Sequence, residues 1–217
     1  MVLEKYSDIL SFIASSATIP LLLSPILLCR EFVKKGSSDH IKPIVFVGGL
    51  TRSILFLQFG ITTNLRPLII IHSLGAVLYT IYLILYYNYC QNKSNVQSLF
   101  TKATAFVSVL LGFVNFRTES LIAKYFGAIV TAIHLFLIAV PLLNLKTIIR
   151  TKSTHGMPFP IILCGNIVTT SWLLYGISVG NSTIIFQMVI GAVLTGIQLS
   201  LFAIYPSTPP SEKKKAN

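Results

Sequence analysis

An internal repeat constrains this chain more than any other feature of its sequence. The stretch GAVLYTIYLIL at residues 75–85 returns as GAVLTGIQLSL at residues 191–201, 116 residues later, with seven of eleven positions identical. The same offset relates other landmarks: Pro25 to Pro141, Ser37 to Ser153, Gly60 to Gly176 and Gly75 to Gly191. Because one offset holds without a gap, the sequence predicts two copies of a single structural unit.

The composition places both copies in a lipid bilayer. Of the 217 residues, 53% are hydrophobic and only 11% are charged, whereas a soluble domain carries roughly 25% charged residues. A membrane-spanning helix needs about 20 apolar residues. Six segments have that length, and a seventh is shorter, so that it could instead be buried or re-entrant; the six are 9–29, 41–60, 67–89, 126–145, 158–177 and 184–205, and the seventh is 103–116.

The distribution of basic residues favours seven spans. Lys and Arg collect in cytoplasmic loops. With seven spans and the N-terminus outside, four basic residues face outward (Lys5, Arg66, Arg117, Lys124) and twelve face inward: Arg30, Lys34, Lys35, Lys42, Lys93, Lys102, Lys146, Arg150, Lys152, Lys213, Lys214 and Lys215. If the short segment did not span, this bias would fade. The net charge of +11 is therefore read as membrane orientation, and we expect no nucleic-acid partner.

Seven spans and two copies together predict an all-α membrane protein with a 3+1+3 arrangement. Two three-helix copies joined directly would have opposite orientations, so one linking helix is needed to make them parallel. We therefore expect a first repeat over 9–89, a cytoplasmic loop and linker helix over 90–122, a second repeat over 123–205 and a basic cytoplasmic tail over 206–217. Parallel repeats of this kind are a transporter plan whose site lies near mid-membrane between the halves.

Local motifs resemble those of the SWEET sugar transporters. The second copy contains RTKST (150–154), MPF (157–159) and SWLLYG (171–176), and a proline precedes each basic loop in LSP and AVP. The resemblance implies passive, bidirectional movement of mono- or disaccharides by alternating access. It also implies a sugar substrate, the lipid bilayer as surroundings and a homo-oligomer.

The acidic residues favour a uniporter over a coupled carrier. A proton- or sodium-coupled carrier usually has a carboxylate inside the membrane, but the six acids lie in predicted loops, tails or helix ends: Glu4, Asp8, Glu31, Asp39, Glu119 and Glu212. The three cysteines match no metal-site spacing, and no activated nucleophile or paired acids are evident. We expect no enzyme activity, no metal and no cofactor.

The repeat predicts substrate contacts in pairs. Phe56 and Trp172 each precede the matching glycine by four residues, and His72 and Met188 each precede theirs by three. In the SWEET family, the equivalents of Trp172 and of the 72/188 pair face the sugar. An aromatic ring stacks on the apolar face of a pyranose while polar groups bind its hydroxyls. The alternative for Trp172 is an anchor at the membrane interface.

Three candidate residues depart from the family pattern. The family usually has two asparagines at positions 72 and 188, and Met188 cannot donate a hydrogen bond. Arg52 stands one turn before Phe56, where the family usually has an asparagine. An arginine inside a span is costly unless it faces water or a partner. We therefore keep two interpretations of Arg52: an interface or packing residue, or a donor to substrate hydroxyls or carboxylates.

Four prolines resemble the family's inner-gate prolines: Pro25, Pro43, Pro141 and Pro158. Proline removes a helix hydrogen bond and permits bending. For Pro43 and Pro158, an ordinary helix start is the alternative.

The resemblance suggests the plasma membrane. The tail KKAN, with Lys214 and Lys215, also resembles a dilysine retrieval signal, which leaves a Golgi or ER membrane as an alternative. Two further functions stay open: a carrier of the same fold for another small solute, and a seven-helix trafficking receptor that moves no solute.

Overall fold

The computed structural model describes residues 4–207, apart from 116–118, 140–144, 156 and 158. A short 3-10 helix at Glu4–Tyr6 precedes nine α-helices in this described part. They are α1 (Ser7–Leu23), α2 (Pro25–Lys35), α3 (Ile44–Thr62), α4 (Arg66–Tyr89), α5 (Lys93–Asn115), α6 (Glu119–Ala139), α7 (Leu145–Thr151), α8 (Phe159–Ser178) and α9 (Ser182–Ile204).

Six stretches of the described chain are long and apolar enough to cross a membrane. They are Glu4–Lys35, which contains α1 and α2, and the helices α3, α4, α5, α8 and α9. Within α6, 21 residues long, Tyr125–Phe136 is a shorter apolar stretch. The all-α fold with seven helical spans, expected from the repeat and from the basic residues, agrees with this architecture.

The fourth span is longer than the hydropathy pattern predicted. The apolar segment covers 103–116, but α5 begins ten residues earlier, at Lys93. The first three turns of α5 are amphipathic, with Val96 buried and its polar neighbours exposed. Hydropathy alone misses such turns, because it measures apolar content and not helix propensity. Lys93 and Lys102 therefore lie on a helix and not in a loop.

Helix boundaries repeat at the offset found in the sequence. Helices of the first copy and of the second end 116 residues apart: α1 at Leu23 and α6 at Ala139, α2 at Lys35 and α7 at Thr151, α3 at Thr62 and α8 at Ser178. The residues that follow α2 and α7, Gly36 and Lys152, both have positive φ, of 70° and 49°. Left-handed residues of this kind commonly end helices. The two copies therefore share the backbone conformation that ends these helices, although the residue is glycine in one copy and lysine in the other.

A tight glycine turn joins α3 to α4, and the same turn joins α8 to α9. In the first copy the backbone N–H of Leu65 donates to the carbonyl of Gly60 at 2.9 Å; in the second, that of Asn181 donates to Gly176 at 3.0 Å. A Cβ added at Gly60 would lie 3.0 Å from Leu68 Cβ, and one at Gly176 would lie 2.8 Å from Ile184 Cγ2. Only glycine permits both helix pairs to approach this closely.

The chain forms two compact units, Thr18–Val130 and Met1–Ala17 with Thr131–Asn217. In the first unit, α3 packs along α4, and α4 also packs on α2. A cluster of aromatic rings closes one end of this unit, with Phe46 and Tyr86 5.0 Å apart and Phe32 in edge contact with both. Ser38 then fastens the loop between α2 and α3, because its hydroxyl donates to the carbonyl of Tyr86 at 3.0 Å.

The second unit has α8 packed along α9. Thr154, the residue equivalent to Ser38, is also buried. Its backbone N–H donates to the carbonyl of Pro206 at 3.0 Å, and its hydroxyl donates to that of Tyr205 at 3.3 Å. In the first unit, therefore, the loop before α3 is hydrogen-bonded to the end of α4. In the second unit, the loop before α8 is hydrogen-bonded to the residues that follow α9.

Of the four predicted gate prolines, two lie in the described chain. Pro25 is buried and begins α2 directly after Ser24, the residue that separates α1 from α2 within the first span. Pro43 is the N-cap residue of α3, a position that also suits the alternative of an ordinary helix start. Pro141 and Pro158 lie outside the described residues. Pro20, inside α1, was not among the sequence candidates.

Candidate functional site

The first copy brings Phe56 and His72 into direct contact. Phe56 lies on α3 with 3% of its surface exposed, and His72 lies on α4 with 5% exposed. Their ring centroids are 4.9 Å apart and the rings are tilted by 31°. The close packing of α3 on α4 permits this contact. Phe56 and His72 each have an equivalent position in the second copy, and they also contact each other within the first copy.

Arg52 lies against Phe56. Its guanidinium carbon is 5.3 Å from the centroid of the Phe56 ring, a distance at which a cation is attracted to the π face by about 0.5–2 kcal/mol. The side chain is half-buried, and it forms no ion pair in the part of the chain that the structure describes. Phe56 in the first copy thus contacts both a cation and an imidazole.

The second copy holds its two candidates on α8 and α9. Trp172 is 6% exposed and Met188 is 7% exposed. The indole meets Tyr175 edge to face, with centroids 5.5 Å apart at 86°. An interface anchor exposes its ring to lipid headgroups, and a ring this deeply buried does not fit that alternative.

Polar groups near these candidates were missed by the sequence reasoning. Gln187, next to Met188, is fully buried, and its Nε2 donates to Thr131 Oγ1 at 2.6 Å. Asn166 Nδ2 donates to Thr195 Oγ1 at 2.9 Å, which joins α8 to α9. A polar residue inside an apolar span is itself a signal, and Asn166 and Gln187 carry that signal in the sequence. In both pairs, the side-chain amide donates a hydrogen bond to a threonine of the same unit.

The candidate side chains are suited to the recognition of a ligand. They offer flat rings, a thioether, an imidazole and a guanidinium. No group of three His, Cys, Asp or Glu side chains that could hold a metal ion occurs among the residues searched, which are the described ones. Cys29 and Cys90 are buried free thiols, and Cys164 is a half-buried one.

Comparison with known proteins identifies the family. The model of the MtN3/saliva family, described as a sugar efflux transporter for intercellular exchange, matches residues 8–94 and again 124–210. The chain belongs to the SWEET (MtN3/saliva) family. The two matches begin 116 residues apart and end 116 residues apart, so each copy of the internal repeat is one unit of this family. The family consists of transporters and not of enzymes.

Similar SWEET proteins come from animals and plants. The chain is 29% identical over 206 residues to the Drosophila pseudoobscura protein named Sugar transporter SWEET1, covering 92% of this chain and 89% of that protein. It is 30% identical to the rat protein of the same name, covering 82% and 81%. It is also 26% identical to Bidirectional sugar transporter SWEET13 of Arabidopsis thaliana, covering 95% and 70%.

A solved SWEET structure has the same fold. The structure of a eukaryotic SWEET transporter superposes with a TM-score of 0.86 over 96% of this chain and 100% of that one, at 21% sequence identity. The predicted fold is therefore confirmed. The relatives are named transporters, and this does not favour the alternative of a trafficking receptor.

Proposed function

We propose that this chain is a facilitative sugar transporter that moves mono- or disaccharides in both directions across a membrane. The observation that carries the proposal is the double match to a sugar-transporter family, once on each copy of the repeat. The names of the relatives agree with it, since the insect and rat proteins are named sugar transporters and the Arabidopsis protein is named a bidirectional one.

The placement of the carboxylates supports passive transport. Among the acids in the described chain, Asp8 lies in the first turn of α1 and Asp39 in the loop after α2. Glu31 is close to the end of α2, where it pairs with Lys35 at 2.7 Å. A carrier driven by protons or sodium needs a group that binds the ion within the membrane. We infer a uniporter that follows the sugar gradient.

We assign sugar contact to Phe56 and His72 in the first copy and to Trp172 and Met188 in the second. Burial of all four side chains supports this role, because an aromatic platform binds a pyranose best where water is excluded. Arg52 is assigned as a donor beside Phe56. The gate role of Pro25 is supported by its place at the boundary between α1 and α2; Pro43, Pro141 and Pro158 are assigned to the gate by their family resemblance.

Membrane, orientation and assembly form the finer part of the proposal. We place the chain in the plasma membrane on the family resemblance, and its N-terminus outside on the twelve-to-four distribution of basic residues. Retrieval to the Golgi or ER through Lys214 and Lys215 is the competing location, and replacing both with serine distinguishes the two. Homo-oligomers are proposed from the family resemblance.

The test is flux into liposomes that contain the purified chain. The substrates are labelled hexoses, labelled sucrose and a small labelled carboxylate. The carboxylate tests Arg52 as a hydrogen-bond donor to an anionic substrate. We expect sugar entry that follows the gradient, shows counterflow and persists with a protonophore. Accumulation against the gradient that a protonophore abolishes would exclude a uniporter, and carboxylate flux without sugar flux would assign another solute.

A further inference from the structure

The first span loses one of its helical hydrogen bonds where α1 meets α2. Proline has no backbone N–H, so Pro25 leaves the carbonyl of Leu21, four residues earlier, without its helical donor. Ser24, between the two helices, keeps helical backbone angles, with φ of −55° and ψ of −34°. The backbone therefore stays helical at Ser24 while one hydrogen bond is missing. We call this missing bond between Leu21 and Pro25 the proline gap.

Two side-chain hydroxyls donate to carbonyls at the proline gap. Ser24 Oγ donates to the carbonyl of Leu21 at 2.9 Å and so replaces the donor that Pro25 lacks. The hydroxyl of Tyr82, on α4, donates to the next carbonyl, that of Leu22, at 3.2 Å. Backbone carbonyls without a donor are costly in hydrocarbon, and serine side chains and neighbouring helices supply donors where proline interrupts a membrane helix. Both sources are present here.

Tyr82 reaches the first span because α4 leaves room for that span to approach. Its side chain is 3% exposed, and it lies two turns after Gly75 on the same face of α4. A Cβ added at Gly75 would lie 3.4 Å from Leu22 Cδ2, so glycine allows Leu22 to lie against this face. The hydroxyl of Tyr82 then joins the proline gap to α4 by a buried hydrogen bond.

The second copy has a donor at the position equivalent to Tyr82. Gln198, 116 residues later on α9, is 2% exposed. A phenol and a primary amide differ in shape, but both donate hydrogen bonds. The equivalent of Pro25 is Pro141, which lies outside the described residues. A buried donor at the same position in both copies indicates that donation, and not ring packing, is the property required there.

We propose that Ser24 and Tyr82 are positioning residues of the gate. Their hydroxyls keep the carbonyls at the proline gap hydrogen-bonded while the first span changes conformation during alternating access. The proposal rests on the transport function and on the gate role proposed for Pro25. Tyr82 lies ten residues beyond His72 on α4, or about 15 Å along the helix. We therefore expect an effect on the rate of the conformational change and none on sugar affinity.

The first test is a double-mutant cycle between Ser24 and Pro25 in the full-length chain, measured as unfolding in detergent by circular dichroism. Ser24→Ala should raise the unfolding equilibrium constant about two- to tenfold, the effect of one hydrogen bond. With Pro25→Ala, the alanine N–H donates to Leu21, so adding Ser24→Ala should change the constant less than about twofold. Pro20→Ala is the matched control background, because Pro20 frees the carbonyl of Ser16; the full effect should remain there. An equal effect in all three backgrounds overturns the role of Ser24.

The second test measures sugar exchange in liposomes at saturating hexose, normalised to folded protein. Tyr82→Phe should lower the maximal rate about two- to tenfold with unaltered apparent affinity. Tyr82→Gln, which copies Gln198, retains a donor and should recover part of the rate. The tyrosine hydroxyls of α4 that donate or accept a hydrogen bond within the described chain are those of Tyr82, Tyr86 and Tyr87. Tyr89→Phe is therefore the matched control and should leave the rate unchanged.

Three results would overturn the role of Tyr82. They are a wild-type rate in Tyr82→Phe, a Tyr82→Gln variant no faster than Tyr82→Phe, and a lower affinity at an unchanged maximal rate, which would place Tyr82 in sugar binding. The Tyr82 variants are also unfolded beside those of Ser24. If the wild-type chain moves no sugar, the proposed function is contradicted, and the unfolding measurements still decide whether the two hydroxyls compensate for the proline gap.

Discussion

The two copies agree at the turns between their long helices and differ within those helices. At the turns, Gly60 and Gly176 accept equivalent hydrogen bonds and contact equivalent neighbours. At mid-helix, Phe56 is matched by Trp172 and His72 by Met188. Backbone geometry is therefore shared between the copies, and the candidate substrate contacts are not.

This difference separates two kinds of constraint. A close helix approach tolerates only glycine in either copy, because any added Cβ meets backbone or another Cβ. A pocket residue is chosen by what it binds, and a sugar has no two-fold symmetry. Each copy can therefore present different groups: the first has a guanidinium and an imidazole on either side of the sequence position of Phe56, and the second has an indole and a thioether.

The largest expected effect comes from removing the indole. Trp172→Ala loses ring stacking and apolar burial of about 1–3 kcal/mol, so apparent sugar affinity should fall by roughly one to two decades. Trp172→Phe should keep most of it. The measurement is concentration-dependent flux in liposomes, normalised to folded protein in the membrane.

The matched control for this prediction is Phe186→Ala, which removes an aromatic ring that is 58% exposed on α9. It should leave the apparent affinity unchanged. If well-folded Trp172→Ala transports with unaltered affinity and rate, the assignment of the substrate contacts in pairs is wrong.

Next in size are the glycine turns. Gly60→Val and Gly176→Val overpack the two helix contacts and should each lower the free energy of unfolding by about 1–3 kcal/mol. Gly112→Val and Gly196→Val are the controls, because nothing lies within 4 Å of a Cβ added at either position. Unfolding in detergent monitored by intrinsic fluorescence measures all four. A loss at only one of the two turns would contradict their equivalence.

A smaller effect is expected from restoring the asparagine pair. Met188→Asn adds a donor and an acceptor, and one new hydrogen bond contributes about 0.5–1.5 kcal/mol, or roughly two- to tenfold in affinity. His72→Asn loses the ring contact with Phe56 while it gains an amide. The double variant shows whether the positions act together, since independent sites give additive changes. Weaker sugar flux in well-folded Met188→Asn would mean that this position is selected for an apolar contact.

The sequence predicted the arrangement of the helices better than the contacts between the candidate side chains. The offset of 116 anticipated equivalent helix ends, since turn glycines are local and are copied with the chain. The start of α5 was missed because its first turns are amphipathic. The contact of Arg52 with Phe56 depends on side-chain direction, and that of Phe56 with His72 depends on how closely α3 packs on α4. The hydrogen bond between Gln187 and Thr131 joins residues 56 positions apart, which no local pattern relates.

The smallest expected effect concerns a cap that only one copy has. The Oδ1 atom of Asn181 accepts a hydrogen bond from the backbone N–H of Ile184 at 3.0 Å, at the start of α9. Leu65, at the equivalent start of α4, provides no side-chain cap. Asn181→Ala should lower the free energy of unfolding by about 1 kcal/mol, while Asn181→Ser, which retains an acceptor, should lose less. Leu65→Ala is the comparison without a cap to lose; a larger destabilisation there than in Asn181→Ala would show that apolar packing, and not capping, fixes the start of both helices.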